Sequence, residues 1–154
     1  MKRYFFSAIM LLAILATPAR AADPTVSTGT LTITPQGLNG RLQAYTLDWL
    51  SDANGNVLAS TIQIMGTIER LVYKPDTGST IPTADYDVTL TDSEGVDVLN
   101  GTGANLDDDS TSSTITTEGD GTTNIPMAAA GPLTLAVTNA GNAKGGEIRI
   151  YFRR

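Results

Sequence analysis

The sequence predicts an all-β fold, a single antiparallel β-sandwich of jelly-roll or immunoglobulin-like type with about seven or eight strands. Three observations carry that reading. Beyond residue 21 no segment holds an apolar stripe at the ~3.6-residue helical period. Threonine, glycine and β-branched residues are plentiful, and turn-forming clusters recur roughly every eight to twelve residues.

A helical signal peptide is expected ahead of this domain. Lys2 and Arg3 are followed by an apolar run from Tyr4 to Ala16, and Ala19-Arg20-Ala21 offers a small-x-small cleavage site. The run is thirteen residues long, short of the ~20 that a membrane span needs. Residues 1–21 are therefore set apart from residues 22–154, the expected sandwich domain.

The strands follow in order. Thr28 to Thr34 alternates, with Leu31 and Ile33 on one face and threonines on the other, until Pro35-Gln36-Gly37 stops it and Asn39-Gly40 turns the chain. From Arg41 to Leu50, Tyr45, Leu47 and Trp49 share one parity, and Asp52 to Asn56 forms the next turn. Leu58, Ser60, Ile62 and Ile64 continue the alternation, with Ile68 and Val72 resuming it beyond a bulge or bend at Gly66 and Pro75-Asp76-Thr77-Gly78 ending it. A helix over 62–73 is the weaker alternative, because Gly66 and the β-branched residues disfavour it. Tyr86, Val88 and Leu90 alternate with polar residues and pass through Asp92-Ser93-Glu94-Gly95 to Val96–Leu99, the clearest hairpin in the chain. Gly101 to Pro126 reads as a long exposed loop that buries only Leu106, Ile115 and Ile125, with one edge strand near Ser113 to Thr117. Leu133, Leu135 and Val137 make the penultimate strand; Ile148, Ile150 and Phe152 make the last, tying down the C-terminus. A closed barrel is the main alternative to the sandwich.

Composition narrows function. The chain contains no cysteine and no histidine, so thiol chemistry, histidine-dependent triads and histidine-ligated zinc are closed to it alone. Without Lys2, Arg3 and Arg20 the mature chain has a net charge of about −9 by residue count. The seven remaining basic residues look scattered apart from Arg149, Arg153 and Arg154, which argues against nucleic acid as a partner.

Several constellations merit weighing. Asp107, Asp108 and Asp109, with Glu118-Gly119-Asp120 in the same loop, make Asp107, Asp108, Asp109 and Asp120 weak calcium candidates, since hard cations favour clustered carboxylates. An acidic loop that is merely solvated is the simpler account, and no cofactor is required. Asp52, Asn54 and Asn56 imitate the start of a calcium loop, but Gly55 is misplaced and the closing glutamate is missing, so a turn is the better reading. Sixteen acids make a glycosidase-like carboxylate pair inevitable by chance, and none stands out. A serine–lysine hydrolase needs a buried lysine, and both Lys74 and Lys144 read as exposed. Trp49, Tyr45, Tyr73 and Tyr86 could stack on sugar rings, although a tryptophan in a sandwich strand is more often core. Asn100-Gly101-Thr102 is a glycosylation sequon of low specificity.

Three stretches carry a family resemblance: Leu38 to Leu47, Tyr86 to Asp92 continuing through Asn100 to Asn105, and Asn139 to Gly146 with its closing strand. Together they resemble small virion structural proteins of tailed bacteriophages. The resemblance implies an all-β particle component without enzymatic activity, and it supplies no functional residues. The export signal is a departure from it, because phage particles assemble in the cytoplasm.

These readings predict a non-catalytic structural or interaction protein, exported to the periplasm, the cell surface or the exterior, or carried in a virion. Its expected partner is protein, through homo-oligomers or a larger assembly, with edge strands and the Gly101 to Pro126 loop as contacts. The alternative is a secreted glycan-binding sandwich module.

Overall fold

A computed structural model of the 154-residue chain describes residues 29–39, 41–114 and 127–154. The expected signal peptide lies outside the described residues. So does 115–126, with Ile115, Ile125, Glu118 and Asp120.

Seven strands are present among the described residues: β1 (Thr30–Asn39), β2 (Leu42–Leu50), β3 (Val57–Pro75), β4 (Asp87–Thr91), β5 (Ser112–Thr114), β6 (Met127–Thr138) and β7 (Gly145–Arg153). One short 3-10 turn covers Gly78–Thr80, and no α-helix occurs among these residues. All pairings are antiparallel and join the strands into one sheet in the order β1-β2-β7-β3-β6-β4, with β5 beside β3 off that path. The all-β antiparallel expectation therefore holds. The helix considered over 62–73 is replaced by strand.

β3 links the two halves of the sheet. It is 19 residues long; its first part pairs with β6 and its last part with β7, the exchange falling at Thr67 and Ile68. Gly66 stands at that exchange with φ of +146°, and a Cβ there would strike the carbonyl of Arg153. Only glycine fits both the conformation and the close approach. Past Gly66 the register against β7 shifts between Ile68 and Arg70. Because side chains alternate with period two, this one-residue bulge reverses which parity faces inward. Ile62, Ile64 and Ile68 are buried before it, and Leu71 and Tyr73 after it. Val72, expected inward, is only half-buried, which corrects the uninterrupted alternation.

Two other expectations also change. β1 does not stop at Pro35 but continues to Asn39 with a shift between Gly37 and Asn39; proline is tolerated there because β1 is an edge strand. In β2, Leu47 and Trp49 are buried as expected, but so are Ala44 and Thr46 on the other parity. Both are short side chains, and they sit opposite the long Tyr151 and Arg149.

The apolar side chains of both halves form one cluster, including Leu47, Trp49, Ile148 and Phe152 from one side and Leu90, Leu133 and Leu135 from the other. Tyr45, half-buried, stacks on Phe152 with ring centroids 5.2 Å apart. Trp49 needs a gap in the neighbouring strand. Gly146 lies opposite it in the register, and an added Cβ would meet the indole at 3.0 Å and the Lys74 carbonyl oxygen at 2.9 Å. Gly146→Ala is therefore expected to destabilise the fold by about 1–3 kcal/mol in urea denaturation, as overpacking does. Gly37→Ala, where a Cβ meets nothing within 4 Å, should change stability by less than ~0.5 kcal/mol.

Candidate functional site

The aromatic residues that could have formed a sugar platform lie mainly in the core. Trp49 is 4 % exposed and Tyr73 and Tyr86 are each 1 % exposed, so three of the four rings offer solvent no face. Trp49 and Tyr86 pack together, centroids 5.6 Å apart and tilted by 40°. The half-buried Tyr45 donates its hydroxyl to the Gln63 carbonyl oxygen at 3.0 Å.

Of the calcium candidates, Asp107, Asp108 and Asp109 bring carboxylate oxygens within 4.8 Å of one another. Asp107 and Asp109 are exposed and Asp108 is half-buried. The Ser110 hydroxyl donates to Asp109 Oδ1 at 2.8 Å. Asp120 lies outside the described residues, so the fourth candidate cannot be joined to them. This arrangement is an exposed acidic turn. The other proposed metal loop is a turn: Asp52 Oδ1 accepts the backbone N–H groups of Asn54 and Asn56 at 2.8 and 2.9 Å, with Gly55 at φ +81°.

The same device recurs at Asp92, whose Oδ1 accepts the N–H groups of Glu94 and Val96, both at 2.9 Å, with Gly95 at φ +83°. Short side-chain acceptors of this kind bond their own backbone two residues on and fix the turn. Lys144, expected exposed, is half-buried; its Nζ donates to the Ser79 carbonyl oxygen at 3.0 Å. Lys74 is exposed as expected. The fully buried Ser51 donates its hydroxyl to the Gly141 carbonyl oxygen at 2.5 Å and accepts the Lys144 N–H at 2.9 Å.

The hairpin after β4 was expected to lead into an exposed loop. Its first part instead packs along the outer side of β4. Val88 donates its N–H to Gly103 O at 2.7 Å, Val98 to Leu90 O at 2.8 Å, and Leu106 to Tyr86 O at 2.8 Å. The Asp97 carboxylate accepts the N–H groups of Leu90, Leu99 and Gly101, each at 3.1 Å. Gly103 makes this possible, since any Cβ there would collide with the Val88 carbonyl. Val98, Leu99 and Leu106 are buried beneath the segment. One margin of the sheet is thereby closed.

The opposite margin has no such seal among the described residues, although its start is not free: Gly29 packs against Asn56 and Val57 at the head of β3, where an added Cβ would fall 2.5 Å from the Asn56 carbonyl oxygen. β1 pairs with β2 on one side, and among the described residues no other backbone or side-chain hydrogen bond reaches it. Thr30, Thr32, Thr34 and the stretch from Pro35 to Leu38 are exposed, and Ile33 is half-buried against the core.

Sequence reasoning overlooked how the charges divide. From Pro75 to Ala143 there is no lysine or arginine, yet eleven of the sixteen acids fall there. That block contains β4 and the segment that closes it. The basic residues of the described chain gather around β2, β7 and the end of β3. Arg153 pairs with Glu69 at 3.4 Å, Arg149 Nε pairs with Glu147 at 2.5 Å, and the Arg70 guanidinium lies 4.8 Å from the Tyr151 ring centroid. The signal was the lysine-free interval itself, not the total charge.

The geometry defines a class: an acidic antiparallel β-sheet protein in which, among the described residues, one margin is closed by its own chain and the other is an edge strand. Comparisons with protein-family models, curated proteins and solved structures find no match to this chain.

Two buried phenols give this end of the molecule a pH signature. Burial, aided by the Asp107 carboxylate, pushes the Tyr86 phenol from 10.0 up to about 12. Burial raises Tyr73 further, helped by Asp97 and then Tyr86; Thr102 opposes this weakly and falls short of hydrogen-bond geometry. Because the folded state holds these protons more tightly, its stability is full below the unfolded value near 10.0 and falls as pH rises toward about 12. Denaturation at stepped alkaline pH should show that decline. Tyr86→Phe should make it shallower.

Proposed function

We propose that this chain is a non-catalytic structural or interaction protein that assembles with protein partners, as a component of a phage-like virion or of an exported surface assembly. The observation that supports it is the contrast between the margins. β4 is sealed by a segment of its own chain, while the ten residues of β1 have no second strand beside them among the described residues and include no charged residue to deter pairing. Natural β-sheet proteins blunt such edges with lysine, proline, bulges or coverage, because an open edge recruits another strand. Here only Pro35 and the bulge that follows it stand in the way, and both lie in the second half of the strand.

The single core drawn from both halves of the sheet supports reading the molecule as a sandwich-like body, with the halves facing one another across shared side chains. Lack of histidine and cysteine removes the commonest nucleophile and general-base chemistry. Three of the four rings that would serve a glycan-binding module are buried and the fourth, Tyr45, stacks on Phe152, so no observation favours that reading. Residues 1–21 keep the composition of an export signal, which supports placing the mature protein outside the cytoplasm.

Sedimentation of the purified protein across a wide concentration range is the test. A weight-average mass that climbs above the monomer with concentration is expected. A strict monomer at the highest concentration reached would defeat the reading.

A further inference from the structure

We propose that two copies of this chain join through β1, antiparallel and about a two-fold axis at Thr32, so that their sheets run on into one another. This rests on the assembly reading above and sharpens it by naming the partner, the strand and the register.

The pattern of the strand itself points to a second copy. A two-fold contact must be self-complementary, since the same patch serves both subunits. Thr30-Leu31-Thr32-Ile33-Thr34 has the same polar and apolar order read from either end. Centred on Thr32, residue 30 stands opposite 34, 31 opposite 33, and 32 opposite its own mate. Directly opposed residues in an antiparallel pair share a face. Threonine therefore meets threonine on the exposed face, and position 31 meets position 33 on the other. A register half a step away would set threonine against an apolar residue at every position. Moving the axis to Ile33 would bring Pro35, which has no N–H, into the ladder. Thr32 is the centre that uses all five residues ahead of Pro35.

Electrostatics favour the same partner. No ionisable residue occurs from Thr30 to Asn39, so two copies of a chain of net charge −6 can meet there without opposing like charges. Joining at β1 orders the composite sheet β4-β6-β3-β7-β2-β1 and then the reverse. The acidic β4 margins end at its two extremities, as far apart along the sheet as the topology allows.

The cysteine-free chain makes the test direct, because one introduced thiol reports alone. Under mild oxidation Thr32→Cys should give a disulfide-linked dimer as the main product, since directly opposed Cβ atoms approach to about 4.5–5.5 Å. Thr30→Cys alone should link poorly, but mixed with Thr34→Cys it should link well. Thr89→Cys, exposed on β4, is the control. Thr32→Lys sets two ammonium groups opposite each other and should raise the dimer dissociation constant at least ~10-fold, with the circular dichroism of the dilute monomer unchanged. If the protein is a strict monomer, both this pairing and the assembly reading fall. If it self-associates but Thr32→Lys has no effect and Thr32→Cys links no better than Thr89→Cys, the β1 pairing alone is overturned.

Discussion

Two strands need the same central one, and that demand shapes the molecule. β3 must satisfy β6 along one edge and β7 along the other while burying side chains against both halves. A straight strand cannot do this, because its inward parity would be fixed along its whole length and its ends would lie far apart. Gly66 supplies the turn of direction and the shift at Ile68/Arg70 supplies the change of parity. Together they let Ile64 and Leu71, seven residues apart and of opposite parity, both be fully buried in one core. The approach of the Arg153 carbonyl to Gly66 then joins the end of the chain to the middle of its longest strand.

The acidity of the chain has a structural share that total charge conceals. Asp52, Asp87, Asp92 and Asp97 each accept backbone N–H groups in turns or along β4. Asp87 also takes the side-chain amide of Asn139 at 2.6 Å, linking the start of β4 to the turn before β7. An N–H left unpaired where a loop packs down costs about 1–3 kcal/mol. A carboxylate that collects two or three of them offsets that cost and leaves a negative charge at the surface. Part of the charge that suggested cation binding is therefore occupied in holding loops, and only the more exposed acids remain as surface charge.

How much of this could be read from the residues depended on the kind of signal. Alternation located β2, β4, β7 and the second half of β6, because each turns its large apolar side chains to one face and few residues interrupt the period. It failed at Val72, where parity depends on a bulge that no residue type announces. Pro35 was read as a stop because proline is barred from central strands; that β1 lies at the edge is a fact of topology, invisible in the residues themselves. Val96–Leu99 looked like the second strand of a hairpin and Gly101 onward like free loop, whereas Asp97 to Leu106 forms one packed segment of turns. Its packing rests on one carboxylate, one glycine and three buried apolar side chains spread over ten positions, a pattern with no period to detect. Among the site candidates, Trp49 was correctly weighed as core, while Tyr73 and Tyr86 needed the shared core to show that they too are enclosed.

Closure of one margin and openness of the other are physically linked through chain order. The segment that seals β4 comes from the chain that immediately follows it, so sealing costs little loop-closure entropy and needs only the turn at Asp92 to reverse direction. β1 has no such follower among the described residues, because the chain passes from it directly into β2, and beyond β2 it meets the head of β3 only near Gly29. An isolated pair of strands is marginal in water, and β1 with most of its length exposed on both faces gains little from burial. What stabilises it within this chain is chiefly its ladder to β2 and the packing of Ile33. A second ladder on its free side would satisfy the remaining backbone groups and cover the strand at once, without the electrostatic penalty that any contact at the acidic margin would bring.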